Sequence, residues 1–222
     1  MDFAHYSPAP AVLEQLKAFD FVAIVGPSAG GKTTAVKAAV MIEPRLYAVV
    51  GDTSREPRPG EHQGQEYFFC SHDDMARRAE RRAYINVALG LHGHLYALNA
   101  DRFQKSKVNI FPIWAKDIPY FQALPFRSFR VVYLLPPHYE EWLARFNQRQ
   151  FPADEAHRRR TEIKFSLAFA LEVEDLHFII DETIAVARED LITLALGQPL
   201  SERLQADQSR ARGVAQELLT HF

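Results

Sequence analysis

The chain has 222 residues, 47% apolar, 12% aromatic and 24% charged, with a formal charge of −2 and a single cysteine. The apolar fraction excludes a disordered chain, and the near-balanced charge excludes a broad nucleic-acid or anionic-membrane surface, so any anion site must be local. Cys70 alone forms neither an internal disulfide nor a multi-cysteine zinc site, no stretch reaches the ~18 apolar residues of a membrane span, and 1–20 lacks the pattern of a signal peptide, so a cytoplasmic chain is expected.

In chain order, 19–25 is a short apolar run ending in a glycine-rich turn and reads as a buried strand. A helix follows over 32–42, stopped by Pro44, and a second strand over 46–50. Residues 51–64 form a polar loop, 66–70 a strand, and 73–82 a charged helix capped by Ser71. Extended chain is expected over 84–98, turning at Gly90 and Gly93, and buried strands at 108–113 and 129–135. A helix opens at 139–146, another spans 154–174, a strand covers 177–180, and helices close the chain at 184–196 and 201–222. The last helix has Leu204, Ala211, Val214, Leu218 and Leu219 as its apolar side. Strands alternating with helices predict an α/β fold with a parallel sheet, into which a mixed, strand-rich piece over 51–104 is inserted.

Gly26-Pro27-Ser28-Ala29-Gly30-Gly31-Lys32-Thr33 fits G-x-x-x-x-G-K-[ST], with a strand before it and a helix after it. Glycines let backbone N–H groups converge on phosphate oxygens, and the helix directs its positive end at them. Lys32 would reach the β- and γ-phosphates and Thr33 would offer a hydroxyl to Mg²⁺. Gly26, Ser28, Ala29, Gly30, Gly31, Lys32, Thr33 and Thr34 are thus the candidate ATP-binding set.

Thr53-Ser54-Arg55-Glu56-Pro57-Arg58-Pro59-Gly60-Glu61, then Gly64-Gln65-Glu66-Tyr67-Phe68-Phe69, follow the loop. Farther on stand Gly93-His94-Leu95-Tyr96, Pro136-Pro137, Arg145-Phe146-Asn147-Gln148-Arg149 and Arg160. This ordered set over roughly 20–195 resembles the guanylate kinase family, with its T-T-R-x-P-R-x-G-E, G-x-x-Y-x-F, G-N-x-Y, P-P and R-L-x-x-R motifs. The resemblance implies a P-loop NTPase fold with a five-stranded parallel sheet flanked by helices. Its core would be 1–50, 105–146 and 163–200, its acceptor-binding subdomain 51–104, its helical lid 147–162, and 201–222 an added C-terminal helix. It also implies that Arg55, Arg58, Tyr67 and Tyr96 grip an acceptor phosphate, and that Lys32, Arg145, Arg149 and Arg160 act on the transferring group. Segment 145–160 carries a local charge of +3, with Arg158 and Arg159 read as solvated surface, as is the cluster Arg77, Arg78, Arg81 and Arg82.

Where the family reads guanine, this chain holds Gly51, Asn86 or Val87, Leu98 and Pro112, and the family's D-x-D-x-x-G is replaced by Pro112-Ile113-Trp114-Ala115-Lys116-Asp117. The phosphate-holding parts survive and the base-reading parts do not, which predicts weak selectivity for GMP and a more apolar pocket at Leu98, Pro112 and Trp114. Asp117 is read as a displaced substitute for the missing strand aspartates, and His92 with His94 lacks a third ligand for a metal site. The expected function is an ATP- and Mg²⁺-dependent phosphotransferase acting on a small phosphorylated acceptor, GMP or dGMP by default. Its alternative is a non-catalytic ATP-binding or protein-interaction module, in which the C-terminal helix could contact a partner.

Overall fold

The computed structural model describes residues 6–90, 93–173 and 176–222. Along the chain run α1 (Pro10–Leu16), β1 (Asp20–Val25), α2 (Lys32–Ile42), β2 (Leu46–Ala48), β3 (Asp52–Thr53), β4 (Phe68–Phe69) and α3 (His72–Glu80). There follow β5 (Asn86–Leu89), β6 (Leu95–Leu98), β7 (Val108–Pro112), α4 (Ile118–Gln122), β8 (Ser128–Leu135), α5 (Tyr139–Gln148), α6 (Ala153–Glu172), β9 (His177–Ile180), α7 (Ile184–Ala195) and α8 (Glu202–Leu219). The chain divides into two compact units. One is built on Val49–Asn109, with the segment up to Asp20 and Leu124–Ser128; the other comprises Phe21–Ala48, Ile110–Ala123 and Phe129–Phe222.

In the first unit a mixed sheet runs β4-β3-β6-β5, with β3 parallel to β4 and antiparallel to β6. Helix α3 covers one face, burying Met75 and Ala79 against Tyr84, Val87, Leu95 and Ala97, and Ser71 caps it by accepting from the Asp74 amide at 3.1 Å. The strand expected over 66–70 shrinks to two residues. The Gln63 side chain takes the Phe69 N–H at 2.7 Å and Gly64 N–H turns back onto the Tyr67 carbonyl, so the ladder cannot extend. The arginines of α3 are not all solvated as expected. Arg78 and Arg102 approach the fully buried Asp52 at 3.4 and 3.5 Å, and Arg82 donates to the Ser7 and Pro8 carbonyls, fastening the segment before α1.

The second unit carries a five-stranded parallel sheet in the order β2-β7-β1-β8-β9. Phe21–Val25 and Val132–Leu135 are buried at every position, as strands covered on both faces must be. Helix α2 packs on α7, and α6 on α8. Helix α8 buries Leu204, Ala211, Val214, Ala215 and Leu218, while Leu219, expected on that side, is only half-buried and Ala215 takes the stripe position. It also shields the edge strand β9: the Gln208 amide accepts from Phe178 N–H and donates to its C=O, both at 2.7 Å. Arg212 meanwhile satisfies the Leu171 and Val173 carbonyls at the C-terminal end of α6. Among the described residues no helix is long and apolar enough to cross a membrane.

The Gln208 clasp holds two backbone groups of a residue that is 2% exposed. Gln208→Leu is expected to lower the free energy of unfolding in urea by about 2 kcal/mol. A loss of only about 0.3 kcal/mol would mean that water replaces the amide at the edge.

Candidate functional site

Strand β1 delivers the chain to Gly26, where φ is +142° and a Cβ would lie 2.1 Å from the Leu134 carbonyl of β8. No other residue fits so close to a neighbouring strand. Ala29 stands at φ +63°, a left-handed conformation costing an alanine roughly 1 kcal/mol, so the loop is bent against its local preference. Gly31, at φ +94°, opens α2, and a Cβ there would come within 2.2 Å of Asp181 Oδ2. The first-turn N–H groups of α2 have no intrahelical partner, and Thr33 and Thr34 are exposed beside them. The result is a ready anion cradle at a helix N-terminus.

Lys32 turns its ammonium inward, donating to the Gly26 carbonyl at 2.7 Å and the Pro27 carbonyl at 2.9 Å, although part of its stem stays accessible. Burial of the ammonium pushes its pKa down to about 8; Glu162 works against that shift and the Arg159 charge adds to it. Ser28 is held from two helices. The Trp142 indole N–H of α5 donates to its carbonyl at 2.9 Å, and Arg159 Nη1 of α6 donates to its hydroxyl at 3.0 Å. Arg159 is braced by Glu155 at 2.7 Å and lies 4.4 Å over the Phe151 ring.

Arg159 is therefore not the surface residue expected. Ile163, Leu167 and Ala170 form the buried stripe of α6, and one turn back along that stripe falls on 159, a signal the run Arg158-Arg159-Arg160 conceals. Arg158 is exposed and paired with Asp154. Of the arginines expected at the loop, Arg145 is there: it donates to Asp181 Oδ2 at 2.5 Å and to Glu141 at 2.7 Å, with Nη1 at 3.3 Å from the hypothetical Gly31 Cβ. Arg149 is exposed, and Arg160, also exposed, lies 5.6 Å over the Phe146 ring. Trp142 and Asp181 carried no signal in the sequence, because both reach the loop through long-range contacts.

The first unit gathers a second cationic site on the sheet face away from α3. Arg55 lies 5.7 Å over the rings of Tyr67 and Phe69, and Tyr67 meets Tyr96 edge-on at 5.8 Å. Glu61 binds the Arg55 guanidinium at 2.9 Å and accepts from the Arg58 amide at 2.8 Å. Burial would raise the Glu61 carboxyl pKa, but these hydrogen bonds and the two guanidinium charges carry it below its ordinary value. Burial raises the Tyr67 phenol, keeping it a proton donor. The Arg58 side chain is exposed.

The strand register decides between the two aligned positions. Asn86 pairs with Leu98 and Val87 with Ala97, so Asn86 shares the face of Leu98 and Tyr96 while Val87 joins the core under α3. Among the described residues the buried Asn86 Oδ1 finds no hydrogen-bond donor. Pro112 ends β7 exposed, Trp114 is half-exposed beneath Lys116, and Asp117 pairs with Lys116 at 3.4 Å. Among the described residues no group of three or more histidine, cysteine or acidic side chains could hold a metal, and His92 lies outside them. Cys70 is a half-buried free thiol packed on the α3 core.

Comparisons with known proteins agree with this geometry. The family model for guanylate kinase matches residues 20–163. The guanylate kinase of Geobacter sulfurreducens is 34% identical over 137 residues, covering 60% of this chain and 67% of that one. That of Geobacter metallireducens is 30% identical over 182 residues, covering 79% and 87%. The crystal structure of guanylate kinase from Anaplasma phagocytophilum superposes with a TM-score of 0.55 at 17% identity, covering 87% of this chain and 95% of that one, a likeness of fold. A family match over this span, with relatives covered over most of their length, means that the chain belongs to the guanylate kinase family.

Proposed function

We propose that the chain is an ATP-dependent phosphotransferase that moves the γ-phosphoryl of ATP onto a phosphate oxygen of a small acceptor, with GMP or dGMP as the default. The observation that carries this reading is the phosphate loop with three cations turned to it, Lys32, Arg145 and Arg159, around a glycine cradle no side chain can enter. The loop amides and Lys32 would hold the β- and γ-phosphates. The acceptor oxygen attacks the γ-phosphorus as the bond to the β–γ bridging oxygen breaks, and ADP leaves with that electron pair. No covalent enzyme intermediate is needed, since positioning and charge neutralisation supply the acceleration. Arg145 and Arg159 would neutralise the equatorial oxygens, with the exposed Arg149 and Arg160 free to close with a lid over 147–162. Mg²⁺ would supply further neutralisation of the phosphates, with Thr33 as its protein hydroxyl.

Arg55, Arg58, Tyr67 and Tyr96 would grip the acceptor phosphate, with Arg55 exchanging Glu61 for it. Base reading would fall to Asn86, a carboxamide with one acceptor and one donor group, where guanine's N1–H and N2–H groups call for two acceptors. Selectivity for GMP over other nucleoside monophosphates is therefore weak. The replacement of the strand carboxylates by Pro112 and Trp114 favours a second reading, an ATP-binding module without turnover.

The test is ADP release from Mg-ATP against a panel of nucleoside monophosphates and phosphosugars. Acceptor-dependent release that Lys32→Ala abolishes supports transfer; ATP binding without turnover on any acceptor supports the second reading. Arg159→Ala is expected to lower kcat by about 100-fold, while Arg158→Ala, four residues from its exposed partner Asp154, changes it by less than about twofold. Equal effects of the two would remove Arg159 from the site.

The Lys32 ammonium sets the pH dependence. Its pKa is lowered to about 8, so kcat/KM for ATP should fall about tenfold per pH unit above that value. Its contribution to stability runs the other way. The folded-state pKa lies below the ordinary 10.5, the unfolded chain binds more protons in between, and stability from this group rises from pH 8 to 10.5. A kcat/KM profile flat to pH 10 would contradict a Lys32 ammonium that titrates near 8 at the nucleotide site.

A further inference from the structure

Helix α8 and the residues after it lie beyond the family-matched span of 20–163, yet they reach the phosphate loop. After α8 the chain folds over in a tight turn, with His221 N–H donating to the Leu218 carbonyl and Phe222 N–H to the Leu219 carbonyl. The turn aims both rings at α5. The imidazole of His221 lies flat on Tyr139, with centroids 3.7 Å apart and planes 6° from parallel. Phe222 meets Trp142 edge-on at 4.9 Å and Tyr139 at 6.4 Å. Trp142 is 1% exposed and gives its one polar hydrogen to the Ser28 carbonyl. On the same spot Pro27 of the loop, Ile163 and Leu167 of α6, and Leu218 of α8 converge with Trp142 and Phe222.

This is an unbroken line of packing from the tail to the loop. Phe222 forms one wall of the indole's pocket, and a tilt of the indole would break its hydrogen bond to Ser28. A single hydrogen bond of this kind is weak net of its exchange with water, so its contribution depends on the indole being held in place. The nearby Ala29 in its left-handed conformation makes the loop dependent on such external support.

We propose that His221 and Phe222 are positioning residues of the nucleotide site: docked on α5, they fix Trp142 against Ser28, so that tail docking and ATP binding strengthen each other. The nucleotide half of this inference rests on the function proposed above; the positional half does not. Linkage is reciprocal, so whatever draws the tail away loosens the loop, and a bound triphosphate tightens the tail.

Hydrogen exchange on the full chain, with and without Mg-ATP, tests both halves. In Phe222→Ala the loop amide of Gly30, which donates to the Pro27 carbonyl at 3.0 Å, should exchange about tenfold faster without nucleotide, and the dissociation constant for Mg-ATP should rise by a similar factor. Phe222→Tyr, which keeps the ring, should restore both. In the wild-type chain Mg-ATP should slow exchange over 218–222. His221→Ala, at an exposed position, provides a second variant should Phe222→Ala unfold. Unchanged exchange at Gly30 in these variants, with only the melting temperature lowered, would make the tail mere packing for α8 and overturn the inference. Faster loop exchange in a protein that binds no ATP would keep the positional role and defeat the nucleotide reading instead.

Discussion

The second unit depends on a loop that cannot hold its own shape. Gly26 passes so close to β8 that no side chain fits, Ala29 is left-handed, and Lys32 bends back to donate to two carbonyls of the loop it is expected to leave when a phosphate arrives. That ammonium is buried beside Arg159, with a pKa near 8. Burial and the Arg159 charge both disfavour its protonated form, and an anion in the cradle would offset them. The surroundings follow from this. Trp142 and Arg159 hold Ser28 from two helices, and Asp181 with Glu141 keeps Arg145 oriented at the start of α2.

Much of the α/β order was legible because 21–25 and 131–135 are uninterrupted apolar runs and α2 and α7 stop just before Pro44 and Gly197. The loop motif was legible for the same local reason, since backbone geometry demands glycine at fixed places. What escaped was whatever rests on tertiary phase. Three consecutive arginines differ only in which side of α6 they occupy, and the choice of Arg159 over Arg160 follows from the buried stripe at Ile163 and Leu167. The short β4 escaped because a side chain, Gln63, competes with the backbone for the Phe69 amide. Asp52, buried among arginines, looked like a loop residue because its partners stand 26 and 50 positions away.

The two units keep different kinds of specificity. In the first, Arg55, Tyr67 and Tyr96 form an aromatic and cationic surface, with Glu61 bound to the Arg55 guanidinium. The same sheet face carries Asn86 and Leu98, a mixed and an apolar group.

Phosphorus NMR of the protein with Mg-ATP and a nucleoside monophosphate is the most direct measurement of the central claim, because it separates transfer from hydrolysis. The account predicts a new diphosphate on the acceptor growing in step with ADP. ATP converted to ADP and inorganic phosphate alone, with every acceptor tried left as a monophosphate, would contradict it.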